Sequence, residues 1–179
     1  LTRDMKTLRD TLSLMPEYLR TYDGKDAGRD YMEYVPQQGR KARGIKMWMQ
    51  LRYFGLSGLR VRLQRHIDLA HELAGWIDED PDAEVLFGVP FGTVCFRMRP
   101  RRYAGREGEP VVAQALDALN EAVMNRVNDS GRIFLSHTRI DDVFVLRLVV
   151  GNIRTERRHI EQAWSLLRDT ATKLDPEGA

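Results

Sequence analysis

Phe144-Val145-Leu146-Arg147-Leu148-Val149-Val150 is the stretch on which the fold turns. β-Branched and aromatic residues without glycine or proline predict a strand. Alternation puts Phe144, Leu146, Leu148 and Val150 on one face and Val145, Arg147 and Val149 on the other, so a guanidinium is set among apolar neighbours. An arginine there is costly without an anion, and it is expected to meet a carboxylate, either the protein's or a ligand's.

Outward from this strand the pattern repeats. Residues 133–137 predict a preceding strand, joined to it through Arg139-Ile140-Asp141-Asp142. Residues 85–87 and 93–98 predict two more, connected by Gly88-Val89-Pro90-Phe91-Gly92 with turn residues at both ends. Between the two strand pairs Pro110 opens a helix to about Asn128, which Asn128-Asp129-Ser130-Gly131 closes. A last helix starts near Thr155 and carries Ile160, Ala163, Trp164, Leu167 and Ala171 on one side. The order of strands and helices predicts an α+β layer, antiparallel strands covered by helices behind a helical lead.

In that lead, Leu1, Met5, Leu8, Leu12 and Met15 fall at helical spacing until Pro16 breaks it. Residues 21–29 are polar and glycine-containing, the composition of a mobile surface segment with Tyr18 at its root, where a phenol could donate a proton. A Pro/Gly-punctuated entry then sets Arg40, Lys41 and Arg43 beside Gly39 and Gly44. It leads into a helix with Ile45, Met47, Trp48, Met49, Leu51 and Phe54, apolar enough to be expected buried on more than one side and to end at Gly55. Ser57 reads as the cap of a second helix to about Asp78.

The chain has 179 residues, 42% of them hydrophobic and 30% charged, an ordinary globular composition. A net charge of +2 and the lack of a basic run with interleaved aromatics argue against nucleic acid. Arg97-Met98-Arg99-Pro100-Arg101-Arg102 is the densest positive patch, and it reads as a solvated edge or dimer rim at a strand exit. No apolar run has membrane length and no Cys/His spacing suits a metal. The single cysteine, Cys95, lies in an apolar run and cannot pair internally, which predicts a core thiol in a reducing, cytoplasmic setting. His66 and His71, five apart, do not share a helix face, and His159 reads as a surface residue. His137 stands between Ser136 and Thr138 at a strand terminus, a candidate site or equally a capped turn. A start at Leu1 on an amphipathic helix with no opening strand leads us to expect a fragment.

Several segments together carry a resemblance. Gln-Gln-Gly-Arg-Lys-Ala-Arg-Gly-Ile-Lys-Met-Trp (37–48), Tyr-Phe-Gly-Leu-Ser-Gly-Leu (53–59), Val-Cys-Phe-Arg (94–97), Leu-Ser-His-Thr (135–138), Val-Leu-Arg-Leu-Val-Val-Gly-Asn-Ile-Arg-Thr-Glu (145–156) and Ala163-Trp164 look like the carboxy-terminal part of the group II pyridoxal-phosphate-dependent decarboxylases, nearest the aromatic-L-amino-acid branch. The resemblance implies the end of a fold-type I large domain over 1–55 and the small carboxy-terminal domain over 56–179. It implies pyridoxal 5'-phosphate as an electron sink, an amino-acid substrate, and a homodimer with sites at the subunit interface. In that family the cofactor's lysine follows a histidine; none of Lys6, Lys25, Lys41, Lys46 or Lys173 does, which places that lysine in a missing amino-terminal part.

Position by position, Pro16-Glu17-Tyr18-Leu19 resembles the family's mobile loop, whose tyrosine returns a proton to the α-carbon after carbon dioxide leaves. Members that make aldehydes oxidatively tend to carry phenylalanine there, so Tyr18 implies simple decarboxylation. Gln38 and Gly39 resemble the pair that lines the substrate pocket, that of the other subunit, and Arg147 resembles an arginine that meets a substrate carboxylate. Met32-Glu33-Tyr34 departs from the usual Arg-His-Trp and Gln38 replaces an apolar residue, which keeps glutamate, aspartate or a diamino acid open beside an aromatic substrate. The alternative is a non-catalytic association module, or one piece of a split enzyme.

Overall fold

The structure, a computed structural model, describes residues 4–13, 34 and 43–175. They belong to two compact units, Leu1–Leu59 and Arg60–Ala179.

In the first unit, α1 (Met5–Leu12) is capped by Asp4, whose carboxylate accepts the backbone N–H of Lys6 at 3.0 Å and of Thr7 at 3.3 Å. The Thr7 hydroxyl and backbone hold the Asp4 carboxyl below its usual range. α2 (Arg43–Asp78) begins here, and its start corrects one expectation: the helix is not buried. Trp48 is 60% exposed and Tyr53 83%, with Ile45, Met47, Met49 and Leu56 also more than half exposed. Apolar positions spread nearly around this helix need covering on several sides, which the described residues do not supply. Gly55 does end the first helical run, as expected: it takes φ 69° and ψ 166°, a conformation that glycine tolerates, and a second run follows directly to Asp78.

The second unit is built on one antiparallel sheet of β1 (Ala83–Val85), β2 (Thr93–Met98), β3 (Ser136–Ile140) and β4 (Val143–Val149), in the order β1-β2-β4-β3. This is the α+β class read from the sequence. Val94, Phe96, Leu146 and Leu148 point to the face covered by the later part of α2, by α3 (Pro110–Asp129) and by α4 (Arg157–Leu174). Leu73 and Ile77, Val123 and Val127, and Ile160, Trp164 and Leu167 complete that core, where Phe96 meets Trp164 edge-on at 6.3 Å. α4 opens with a reciprocal cap: Glu156 is the N-cap, and its own N–H donates to His159 Nδ1 at 2.9 Å. His159 is thus exposed but employed.

Two strands are displaced from their expected positions. β1 starts two residues before 85–87, and β3 lies at Ser136–Ile140 instead of 133–137. For β3 the cause is the turn. Asp141 and Asp142 both take left-handed backbone, φ 51° and 63°, and close a two-residue hairpin between Ile140 and Val143, which draws the pairing toward the turn.

The register of β2 on β4 pairs Thr93 with Val149 and Phe96 with Leu146. Continued, it would pair Met98 with Phe144, but the strands part and α3 fills the gap. The Met98 N–H donates to Asn120 Oδ1 at 2.8 Å, and Asn120 Nδ2 donates to the Met98 carbonyl at 2.9 Å. The Phe144 N–H donates to Asp117 Oδ1 at 3.0 Å, and Arg139 Nη1 braces Asp117 Oδ2 at 2.8 Å. Two side chains of one helix therefore replace the missing ladder bonds. Asn128, two turns later, clasps Leu135 in the same way, at 2.7 and 2.9 Å. At the ladder's other end the Val150 N–H donates to the Gly92 carbonyl at 2.6 Å, and a Cβ on Gly92 would stand 2.5 Å from the Val150 carbonyl oxygen.

Asn120 is fully buried. Asn120→Leu is expected to strand the Met98 N–H and C=O and to destabilise the fold by about 2–4 kcal/mol in urea unfolding. Glu121→Ala, an exposed change one residue on, is expected to stay within about 0.5 kcal/mol. Equal midpoints for the two would contradict the clasp.

Candidate functional site

The sheet face away from the helices carries Thr93, Cys95 and Arg97 from β2, Val145, Arg147 and Val149 from β4, and Ser136 and Thr138 from β3. Cys95, Arg147 and Ser136 form one rung across three strands. Since Gly92 and Val150 share a ladder hydrogen bond, alternation makes Cys95 and Arg147 a non-hydrogen-bonded pair, the type with Cα atoms about 4.5 Å apart and side chains closest. Arg147 is half-buried there, between the fully buried Val145 and the exposed Val149. Burial pushes the Cys95 thiol up, against the charge of Arg147 and its hydrogen bond to the sulfur, so the thiol is neutral at neutral pH. Cys95 is accordingly half-buried on the open face, not a core residue as its apolar run suggested.

Arg97, one rung away on the same face, is different. It is buried and pairs with Glu84 directly across on β1. Arg99 reaches both Glu84 and Glu107 at 3.0 Å, the backbone N–H of Arg101 donates to Asp82 at 2.9 Å, and Arg102 meets Asp175 at 2.5 Å. The positive patch is therefore a solvated edge at Arg101 and Arg102, which are exposed, and not at Arg97 and Arg99, which are buried or half-buried. Each of its four arginines faces an acid of this chain, Arg101 through a loose contact with Asp82 at 3.6 Å.

The histidines separate as well. His137 turns to the core face and stacks on Phe144, centroids 4.7 Å apart, while Ser136 and Thr138 lie on the opposite face, so the three do not converge. His66 and His71 hold loops: their Nε2 atoms lie 3.1 Å from the Asn152 carbonyl and 2.6 Å from the Val89 carbonyl. Nothing in their spacing announces this, because the carbonyls they reach are 86 and 18 residues away. Among the described residues no His, Cys, Asp or Glu cluster suits a metal, and no helix is long and apolar enough to cross a membrane.

Of the site residues expected from the sequence, Arg147 lies among the described residues; Tyr18, Gln38 and Gly39, with Arg40, lie outside them. A half-open cavity of about 60 Å³ lies between Asp80, Asp82, Arg168 and Asp175, where Arg168 meets Asp80 at 2.7 Å, and a wider hollow of about 430 Å³ is lined by Trp76, Arg157, Glu161 and Trp164.

Comparison with known proteins places this geometry. The family described as "Pyridoxal-dependent decarboxylase conserved domain" matches residues 1–99. Tryptophan decarboxylase 2 of Oryza sativa subsp. japonica is 37% identical over 173 residues, 96% of this chain and 33% of that protein. Aromatic-L-amino-acid decarboxylase of Rattus norvegicus is 31% identical over 93% of this chain and 32% of its own length. The crystal structure of Oryza sativa TDC with PLP and tryptamine superposes with a TM-score of 0.65 and 31% identity over 74% of this chain and 27% of that one. The chain spans about a third of the length of the curated relatives it matches. With the family matched over more than half of its residues, the chain belongs to the pyridoxal-dependent decarboxylases.

Proposed function

We propose that this chain is the carboxy-terminal portion of an enzyme that decarboxylates an L-amino acid of the aromatic class to its amine and carbon dioxide, with pyridoxal 5'-phosphate as cofactor. The observation that carries the reading is the match of 173 residues at 37% identity to a tryptophan decarboxylase. The cofactor is supported by the family description and by a related structure determined with PLP. The lysine that carries the cofactor is placed outside this chain. Lys46 and Lys173 are exposed on helices, and the arginines of the 97–102 cluster are already paired.

The parts this chain supplies are on the substrate's side. Arg147 takes the substrate carboxylate, Gln38 and Gly39 line the pocket, and Tyr18 holds the proton delivered to the α-carbon. Residues 1–55 are the end of the large domain and 56–179 the small one, a division supported by the helix break at Gly55 and by compact units that meet at Leu59 and Arg60. The apolar residues exposed from Ile45 to Leu56 support a further surface laid over this helix, in a homodimer that completes the site. The lone free thiol supports a reducing, cytoplasmic setting.

A second reading, a separately made association module, is favoured by one observation: residues 60–179 close a core of their own. The product of the full reading frame separates the two. Carbon dioxide release from L-tryptophan or L-tyrosine that depends on added pyridoxal phosphate is expected of the enzyme, and none from any L-amino acid would leave the module. In the active protein Tyr18→Phe is expected to keep cofactor retention on gel filtration while amine formation falls about 100-fold or more. Unchanged amine formation removes Tyr18 from the chemistry.

A further inference from the structure

The hollow of about 430 Å³ lies between the later part of α2 and α4, and its size suits a small organic ligand. Helical spacing builds its walls. On α4, Arg157, Glu161, Ser165, Arg168 and Thr172 recur three and four residues apart and line one side. On α2, Glu72 and Trp76 stand one turn apart and reach toward them. Arg157 bridges the helices at one end, meeting Glu72 at 2.5 Å, and Arg168 bridges them at the other, meeting Asp80 just past α2 at 2.7 Å. Between the bridges the lining is aromatic. Trp164, 7% exposed, is sunk in the core, and Trp76 is half-buried beside it. The Arg157 guanidinium carbon lies 5.3 Å from the centre of the Trp76 ring, so that ring already receives a cation.

The charges do not balance. Arg157 is matched by Glu72 and Glu161, and Arg168 by Asp80. Asp169 lines the same hollow, and among the described residues its carboxylate has no ion-pair or hydrogen-bond partner. Four acids, Glu72, Glu161, Asp80 and Asp169, thus stand around two arginines, and the surplus is negative. A negative surplus beside an indole face attracts a cation and disfavours an anion.

We propose that this hollow binds an arylalkylammonium ion, with its ring against Trp76 and its cationic head directed to Asp169. Such binding is independent of the proposed function, and the amine named there is an ion of this class.

The test titrates the complete protein calorimetrically with N,N,N-trimethyltryptammonium, whose quaternary nitrogen cannot condense with an aldehyde cofactor. Binding is expected with a Kd of about 1 mM or below. Asp169→Lys, a change at an exposed position, is expected to weaken it about tenfold or more, and Trp76→Leu about fivefold. Gln162→Lys places the same charge on α4 at an exposed position outside the hollow and is expected to leave Kd within about twofold. If Trp76→Leu does not fold, the two lysine variants decide. No heat of binding at about 10 mM probe overturns the proposal. So does a Kd that Asp169→Lys leaves within about twofold, or one that both lysine variants weaken equally, since the attraction is then a general one. None of these results bears on the decarboxylase reading, because the probe reports binding and not turnover.

Discussion

The register of β2 on β4 is the constraint on which the rest depends. A slip of one residue would exchange the two faces of β2, sending Cys95 and Arg97 into the helical core and Phe96 out of it. Both ends of the ladder are secured against it. At one end Gly92 lies so close to the Val150 carbonyl that any side chain would collide. At the other, Asn120 and Asp117 take up the backbone groups of Met98 and Phe144 where the strands part. These polar contacts contribute modestly to stability as pairs, yet each prevents a buried backbone group from going unpaired, and that penalty is what fixes the register. Everything on the open face, Arg147 included, has its direction from this.

Charge on that face is arranged in two ways. Arg97 and Arg99 serve the fold, bound to acids whose removal would leave a buried or half-buried cation, while Arg101 and Arg102 pair at the exposed edge. Arg147 stands between a thiol and a hydroxyl. In the proposed function Arg147 is the residue that meets the carboxylate of an amino-acid substrate. The exposed apolar helix of the first unit supplies the complementary fact, since hydrophobic surface of that extent calls for a cover.

Much of this was legible in the sequence. The alternation of residues 93–98 and 143–150, the proline that opens α3 and the periodicity of α4 gave those elements close to their observed limits, because each is a strong local signal. β3 was misplaced because Asp141 and Asp142 form a left-handed turn more usual for asparagine and glycine. His137 looked like part of a site because Ser136, His137 and Thr138 are adjacent in sequence, and a strand separates adjacent residues to opposite faces. The pairing of the positive patch was hidden because its acids, Glu84, Glu107, Asp82 and Asp175, are scattered along the chain. The burial expected for residues 45–54 followed correctly from their apolarity, but burial needs a covering surface as well as an apolar one. Family membership was legible because it rests on many short segments in order, whereas the roles of Tyr18, Gln38 and Gly39 rest on resemblance alone.

The central proposal is that Arg147, on the face set by this register, meets the substrate's carboxylate. Inhibition of the complete enzyme by indole-3-propionate, which has the carboxylate and lacks the amine, tested beside tryptamine, which has the amine and lacks the carboxylate, addresses it most directly. A charge-assisted hydrogen bond of about 1.5–3 kcal/mol implies that Arg147→Met weakens indole-3-propionate by roughly 10- to 150-fold and leaves tryptamine unchanged. Equal effects on the two inhibitors, or none on either, would contradict the account.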